Sequence, residues 1–311
     1  MDGILIIDKP VGLTSHDVVA RLRRILKTKR IGHTGTLDPF ATGVLVMLIG
    51  KATRLAQFLD KDAKEYAAIV RFGFETDTGD RTGELRIANC ELRDFSDDEL
   101  ETILKDFRGE IEQTPPMYSA KKIDGVKLYE LARKGVEVER KAVKVSIYEL
   151  ETIQPQRTQR NTEGKSEDQK PKTEDHALRV LCSAGTYIRT LAEDIGRRLG
   201  TGAHLAELRR TRAGKFDLSK ALTIEQLENT VLENKLADYL ISMNEAVSHL
   251  AKVVLSETEI KDVQNGKRLR FEIEAAEANQ TVRMIDQTEN LVAIGLYLKE
   301  EKSVQPKLVL I

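Results

Sequence analysis

A single carboxylate stands out in this sequence. Asp38 sits in GHTGTLDPFATG at 32–43, where three glycines and a proline within twelve residues specify an unusual backbone around one acid. The loop sits between a predicted basic helix and a buried strand, where a carboxylate can be desolvated as catalytic acids are. Asp38 followed by Pro39 is equally the composition of a helix N-cap with proline at the first helical position, and spacing alone leaves both readings open. A second segment, CSAGTYIRT at 182–190, puts Arg189 in the first turn of a predicted helix. The helix dipole disfavours a cation there, so Arg189 needs an anionic partner. Glu193, one turn further on, is the local candidate. Tyr66, in KEYAAIVRFGF at 64–74, is a phenol on a core-facing strand face and needs a hydroxyl partner, or is a packed tyrosine.

Other chemistries find no support. The five histidines, His16, His33, His176, His204 and His249, show no HxxxH or HExxH pairing. Cys90 and Cys182 do not form a CxxC, which argues against a zinc ribbon or a disulfide scaffold and fits a reducing compartment. GVLVMLIGKAT misses the phosphate-loop pattern: six residues separate Gly43 from Gly50, and Ala52 replaces the required hydroxyl. No dinucleotide fingerprint follows a strand. The available chemistry therefore rests on acids, tyrosines and arginines.

The elements that must position these groups interleave irregularly. A buried strand is predicted at 3–9, then a helix capped by Ser15 with Val18, Val19, Leu22, Ile25 and Leu26 on one face. A glycine-rich loop at 30–43 leads into the continuous apolar run 44–50, a buried and central strand. In 64–74, Tyr66, Ala68, Val70, Phe72 and Phe74 alternate onto one face. TDTGDRTG at 76–83 is a turn by composition. Ser96 caps a helix, strands follow at 143–153 and 177–183, and 185–200 is a helix stopped by glycine. AHLAELRRTRAG at 203–214 is a strand, and Thr223 caps a further helix. Residues 154–176 contain no aliphatic or aromatic side chain and read as a flexible insertion. After about 245 the pattern changes to short strands. The fold class is α+β.

With 311 residues, 41% of them apolar and 32% charged, the chain has room for one large and one small globular domain. Its start fits no signal or transit peptide, and no run approaches the roughly 18 apolar residues of a membrane span. The net charge of -1 hides a segregation: 1–60 and 179–220 are predominantly basic, 61–110 and 221–311 predominantly acidic. The blocks RLRRILKTKR at 21–30 and RRTR at 209–212 are either a phosphate-binding surface or solvated faces, and charge leaves both open.

The segments IDKPVGLTSHDVV, GHTGTLDPFATG, KEYAAIVRFG, TDTGD, RGEIEQTPPMYSAKKIDGVKLYELARKG, CSAGTYIRTLAEDIG and AHLAELRR resemble, in order and spacing, those of the TruB family, the bacterial tRNA pseudouridine-55 synthases. They cover most of residues 3–212. The match weakens beyond 245, and the insertion at 154–176 is longer than usual. The resemblance implies a pseudouridine synthase fold with a mixed central sheet in residues 1–243, and a small β-rich domain of PUA type, binding RNA, in 244–311.

The substrate it implies is uracil-55 in the TΨC arm of tRNA. The reaction breaks the N1–C1′ bond, rotates the uracil and rejoins it through C5, without cofactor or metal. By the same resemblance Asp38 is the nucleophile, attacking either ring or sugar, and Arg189 pairs with it and keeps it ionised. Tyr66 stacks on the target base and accepts a proton, Tyr187 is a second pocket tyrosine, Leu208 is an apolar wall, and His33 supports the rearranged RNA loop. The base must be flipped out to react. A cytoplasmic monomer with no membrane association and no obligatory protein partner is implied. The alternatives are a dyskerin-type synthase in a guide-RNA particle, whose extended termini this chain lacks, and a noncatalytic RNA-binding module on the same scaffold.

Overall fold

The computed structural model describes residues 1–86, 94–119, 121–123, 125–132, 134–153, 174–273, 277 and 279–311. The first half of the chain runs β1 (Gly3–Lys9), α1 (Ser15–Ile25), β2 (Ile31–Thr34), β3 (Thr42–Ile49), a 3₁₀ turn (Gly50–Leu55), α2 (Ala56–Leu59), β4 (Lys64–Phe72), β5 (Glu75–Thr76) and β6 (Leu85–Arg86). It continues through α3 (Asp97–Asp106), β7 (Gly109–Gln113), β8 (Lys122–Ile123), β9 (Val126–Lys127), α4 (Leu128–Ala132) and β10 (Val143–Thr152). Then come β11 (Glu174–Cys182), α5 (Ile188–Leu199), β12 (Ala203–Ala213), β13 (Phe216–Asp217), β14 (Ala221–Leu222), α6 (Ile224–Leu232) and α7 (Met243–Ala246). The last stretch holds β15 (Ala251–Val254), α8 (Glu257–Gln264), β16 (Leu269–Arg270), β17 (Thr281–Ile285), β18 (Leu291–Leu298) and β19 (Ser303–Val309).

Among the described residues, ten strands form one mixed sheet in the order β14-β1-β3-β12-β4-β11-β10-β7, with β2 beside β3 and β13 beside β12. β3 pairs antiparallel with β1 but parallel with β12, which makes the sheet mixed and the class α+β, as the sequence implied. A second sheet, β15-β17-β18-β19-β16, forms the C-terminal β-rich part.

The continuous apolar run of β3 follows from cover on both faces. Leu45, Met47 and Ile49 join Leu5, Ile7 and the apolar stripes of α1 and α6. Val44, Val46 and Leu48 face the other way, against Ile285, Leu291, Ile294 and Leu308 of the C-terminal sheet. The two sheets thus share a core across the expected 243/244 division. The β4 alternation holds from Tyr66 to Phe72, whose buried face packs with α3 and α5. Phe74 lies past the end of the strand, after Gly73 at φ 119°, and stacks on His204 at 4.5 Å instead.

Three local expectations change. The cap of α1 is Thr14 rather than Ser15, because Asp17 reciprocates: Thr14 Oγ1 accepts from the Asp17 amide and Asp17 Oδ2 accepts from the Thr14 amide. The loop expected at 30–43 begins as strand β2, which pairs with β3 from Ile31↔Ile49 to Thr34↔Val46. Of the insertion expected at 154–176, residues 154–173 lie outside the described residues, as does Cys90. Glu174–His176 open β11 opposite Phe72, Arg71 and Val70, and the Arg71–Asp175 pair crosses the strands at 2.6 Å. Backbone pairing and charge extend that strand without apolar side chains.

One glycine is fixed by close approach. β12 meets β3 at Arg210↔Gly43, and a Cβ on Gly43 would lie 2.1 Å from the Arg210 carbonyl oxygen at a φ of +99°. Gly43→Ala is expected to lower the unfolding free energy by about 3 kcal/mol or more, whereas Gly12→Ala, at φ +87° with open space around it, costs about 1 kcal/mol. Denaturant titration of both variants measures this, and equal losses would contradict the close-approach argument.

Candidate active site

The loop carrying Asp38 leaves the sheet where β3 changes neighbours, from β12 at Thr42–Gly43 to β2 at Val46–Ile49. No helix follows Asp38. The Ala41 amide donates to the Asp38 carbonyl at 3.1 Å, closing a turn that runs straight into β3, so the helix-cap reading is excluded. The loop is held from several sides. Ser15, freed from capping, accepts from the Leu37 amide at 2.9 Å and donates to the Leu37 carbonyl at 3.2 Å. The Gly12 amide donates to Pro39 O at 2.8 Å. The fully buried Lys9 ammonium donates to Leu13 O at 2.7 Å and Pro39 O at 3.4 Å. Gly35 N donates to Asp60 Oδ1 at 3.0 Å. Buried backbone polar groups in an irregular loop must be paired, and these side chains pair them.

Arg189 comes from the first turn of α5, whose preceding residue Tyr187 is clamped by Gln113: the Tyr187 amide donates to Gln113 Oε1 at 3.0 Å, and Gln113 Nε2 donates to Tyr187 O at 3.3 Å. The guanidinium is 6% exposed. Its Nε meets Asp38 Oδ2 at 3.0 Å, Nη1 donates to Thr78 O at 2.9 Å and reaches Asp80 Oδ2 at 3.5 Å, and Nη2 donates to Tyr118 O at 2.6 Å. The local candidate Glu193 pairs with Arg197 at 3.6 Å instead. Asp80 is itself fixed, its Oδ1 accepting from Thr78 Oγ1, Thr82 N and Thr82 Oγ1.

These groups enclose a cavity of about 240 Å³ whose lining includes Asp38, Tyr66, Tyr187, Arg189, Leu208 and Arg210. Burial raises the Asp38 carboxyl above the usual carboxylate range, with Asp80 adding to this, while the Arg189 and Lys9 charges pull it back. Asp38 nevertheless keeps 35% of its side chain open to the cavity. Tyr66 projects from β4 opposite Arg210 of β12, and Leu208 stands opposite Ala68. Burial raises both the Tyr66 and the Tyr187 phenols. The assembly offers an aimed carboxylate, a phenol and apolar walls: the means for nucleophilic attack and proton transfer on a flat ring.

Of the residues singled out in the sequence, Asp38, Tyr66, Tyr187, Arg189 and Leu208 converge here. His33 does not line the cavity; it lies on β2 opposite Met47 and meets His16 edge-on at 5.5 Å. Asp80, Ser15, Lys9 and Gln113 were not singled out. Asp80 was hidden in a segment whose composition reads as a turn, while Ser15 looked like a cap. The basic block at 209–212 also divides. Arg210 is buried, while Arg209 and Arg212 pair with Asp8 at 2.7 Å and Glu65 at 3.3 Å. The α1 cations Arg21, Arg23 and Arg24, and Lys27 just beyond the end of the helix, are exposed. Among the described residues no cluster of ligating side chains fits a metal ion, and no helix is long and apolar enough to cross a membrane.

His33 gives a pH prediction. Burial, with the His16 and Arg210 charges, lowers its imidazole from 6.5 to about 4. Between those values the unfolded chain binds a proton that the folded chain refuses, so stability is lost as pH falls through this window. His33→Gln should remove that loss, shifting the wild-type-minus-variant unfolding free energy by roughly 1–3 kcal/mol between about pH 7 and 4.5. Denaturation curves at both pH values measure it, and a difference independent of pH would refute it.

The profile "TruB family pseudouridylate synthase (N terminal domain)" matches residues 23–188, and "tRNA pseudouridylate synthase B C-terminal domain" matches 189–248. The chain is 43% identical to tRNA pseudouridine synthase B of Solibacter usitatus, covering 95% of each chain. To the protein of that name from Geobacillus thermodenitrificans it is 42% identical, over 96% of this chain and 95% of the relative. For that of Bacillus subtilis the identity is 38%, over 96% and 93%. Among solved structures it resembles a chain of a Cbf5-Nop10-Gar1 complex, with 28% identity and a TM-score of 0.72 over 99% of this chain and 85% of that one. A chain of an H/ACA ribonucleoprotein bound to a substrate RNA containing 2'-deoxyuridine gives 27% and 0.71 over the same shares. With the profile covering more than half of its length and relatives above 40% identity along nearly all of it, the chain belongs to the TruB family of pseudouridylate synthases.

Proposed function

We propose that this chain isomerises uridine-55 in the T arm of tRNA to pseudouridine, with Asp38 as its nucleophile, acting as a monomer without an obligatory protein partner. The observation that carries the reading is the Asp38–Arg189 ion pair, 3.0 Å long and backed by Asp80, at a cavity that also presents Tyr66. The relatives named tRNA pseudouridine synthase B support the substrate class. The flipped uracil enters the cavity and stacks on Tyr66, with Leu208 and Tyr187 as walls. Asp38 attacks, the N1–C1′ bond breaks, the ring turns, C5 bonds to C1′ as the bond to Asp38 breaks and its carboxylate is released, and Tyr66 takes the C5 proton. Arg189 keeps Asp38 ionised and aimed, since its planar fork is always charged and is locked by two carbonyls and Asp80.

Asp38→Asn should bind tRNA with a Kd near that of wild type and form no detectable pseudouridine; multiple turnover by this variant would sink the mechanism. Arg189→Ala should slow single-turnover conversion by roughly 100-fold or more, while Glu193→Ala, whose partner is Arg197, stays within about threefold of wild type. A matching loss in both variants would mean that the helix, rather than the pair with Asp38, is what Arg189 supports.

Phosphate contacts fall to the exposed face of α1 and to Lys27 just beyond its end. Replacing Arg24 or Lys27 with Ala should weaken tRNA binding and lower the slope of log K against log salt by roughly one unit. Arg210→Gln, which removes a buried charge, should leave that slope unchanged. Binding constants from low to moderate salt decide between this assignment and one in which the block at 209–212 holds the RNA.

A further inference from the structure

Arg210 is the largest of the fully buried side chains, at 1% exposure, and the steps above give it no task. A guanidinium stays charged at any accessible pH, and taking it out of water is unfavourable unless hydrogen bonds or countercharge compensate. Its Nε donates to Val44 O at 2.7 Å and its Nη2 to Gly35 O at 2.8 Å, yet it makes no ion pair among the described residues. Its charge instead falls on other bases, disfavouring the protonated forms of Lys9, Lys64 and His33. The neighbouring acid is a phenol. Tyr66 is the direct cross-strand partner of Arg210 between β4 and β12, and both side chains line the cavity. Burial pushes that phenol up, and the Arg210 charge pulls it down.

We propose that Arg210 is a positioning residue for Tyr66: its buried guanidinium, free of any carboxylate, orients the phenol and stabilises the phenolate formed while Tyr66 carries a proton from C5 to N1 of the uracil. This rests on the function proposed above. Over the isomerisation C5 loses a proton and N1 gains one, so a group that gives and then takes back a proton closes the balance. The Tyr66 phenol gives its proton to N1 of the uracil released from C1′ and becomes a phenolate. After C5 has bonded to C1′, the C5–H bond breaks, its electron pair returns to the ring and its proton goes to the phenolate oxygen. No oxidant, reductant or further reactant enters. The low-dielectric site makes the countercharge effective, since little water is present to solvate the phenolate.

The test is a double-mutant cycle on single-turnover pseudouridine formation with an unmodified tRNA transcript, comparing wild type, Tyr66→Phe, Arg210→Gln, Arg210→Lys and the combined variants. Thermal unfolding and tRNA Kd are measured for each. Arg210→Gln is expected to slow conversion by roughly 100-fold with Kd changed less than about threefold, and Arg210→Lys to recover roughly tenfold of it. In the Tyr66→Phe background, Arg210→Gln should change the rate by less than about threefold. Transcripts carrying 5-deuterated uridine should show a larger isotope effect with the Arg210 variants than with wild type, because proton removal from C5 becomes limiting. The same fold-loss in both backgrounds, with an unchanged isotope effect, would overturn the inference and leave Arg210 as a brace between Gly35 and Val44. Should Arg210→Gln fail to fold, Arg210→Lys carries the cycle and the isotope measurement. A Tyr66→Phe enzyme as fast as wild type, or a wild type that makes no pseudouridine, would overturn the reading of the site as well, so the two failures are distinguishable.

Discussion

A carboxylate in a partly dehydrated cavity tends to become a neutral acid, and the Asp38–Arg189 ion pair is what opposes that here. The guanidinium gathers groups from distant parts of the chain: Asp38 from the loop before β3, Thr78 and Asp80 from the turn between β5 and β6, and Tyr118 from the segment after β7. A cation in the first turn of α5 opposes the helix dipole, and these carboxylates and carbonyls compensate for it. Because the fork is planar and each direction is occupied, Asp38 has a defined orientation rather than a range of rotamers.

The sheet supplies the other half of the constraint. β3 gives up β12 and takes up β2 within a few residues, and the chain between must leave the plane at that point. Gly43 lets β12 come close enough to bring Leu208 and Arg210 to the cavity edge. Ser15 and Lys9, from the connection between β1 and α1, then fix the loop from the opposite side. Stability and chemistry are therefore hard to separate in this region. A substitution at Ser15 would loosen the Asp38 loop without touching a substrate.

Periodicity made much of the scaffold legible. The β4 alternation, the doubly covered β3 run and the glycine-stopped α5 all have local causes that a sequence displays. The errors fall where a tertiary partner decides. Asp38–Pro39 has the composition of a helix start, but the Ala41 amide closes a turn there and β3 follows. Thr14 and Ser15 are equivalent cap candidates until Asp17 selects Thr14. Arg210 was read as part of a charged surface block, although it lies two residues beyond Leu208, the spacing of one strand face, and that spacing was the available clue. Asp80 carried no such signal, because its partner Arg189 is far away in the sequence. The roles proposed for Asp38, Tyr66, Tyr187, Leu208 and His33 rest on family resemblance rather than on periodicity.

The Arg189 charge draws down the Asp38 carboxyl that burial raises. Carbon-13 NMR of the aspartate carboxyls, with Asp38 assigned by difference from the Asp38→Asn spectrum, measures its titration directly in wild type and in Arg189→Gln. Asp38 is expected to release its proton at lower pH in wild type than in the variant, with the other aspartates outside the pair unchanged. Coincident Asp38 titrations in the two proteins would contradict it.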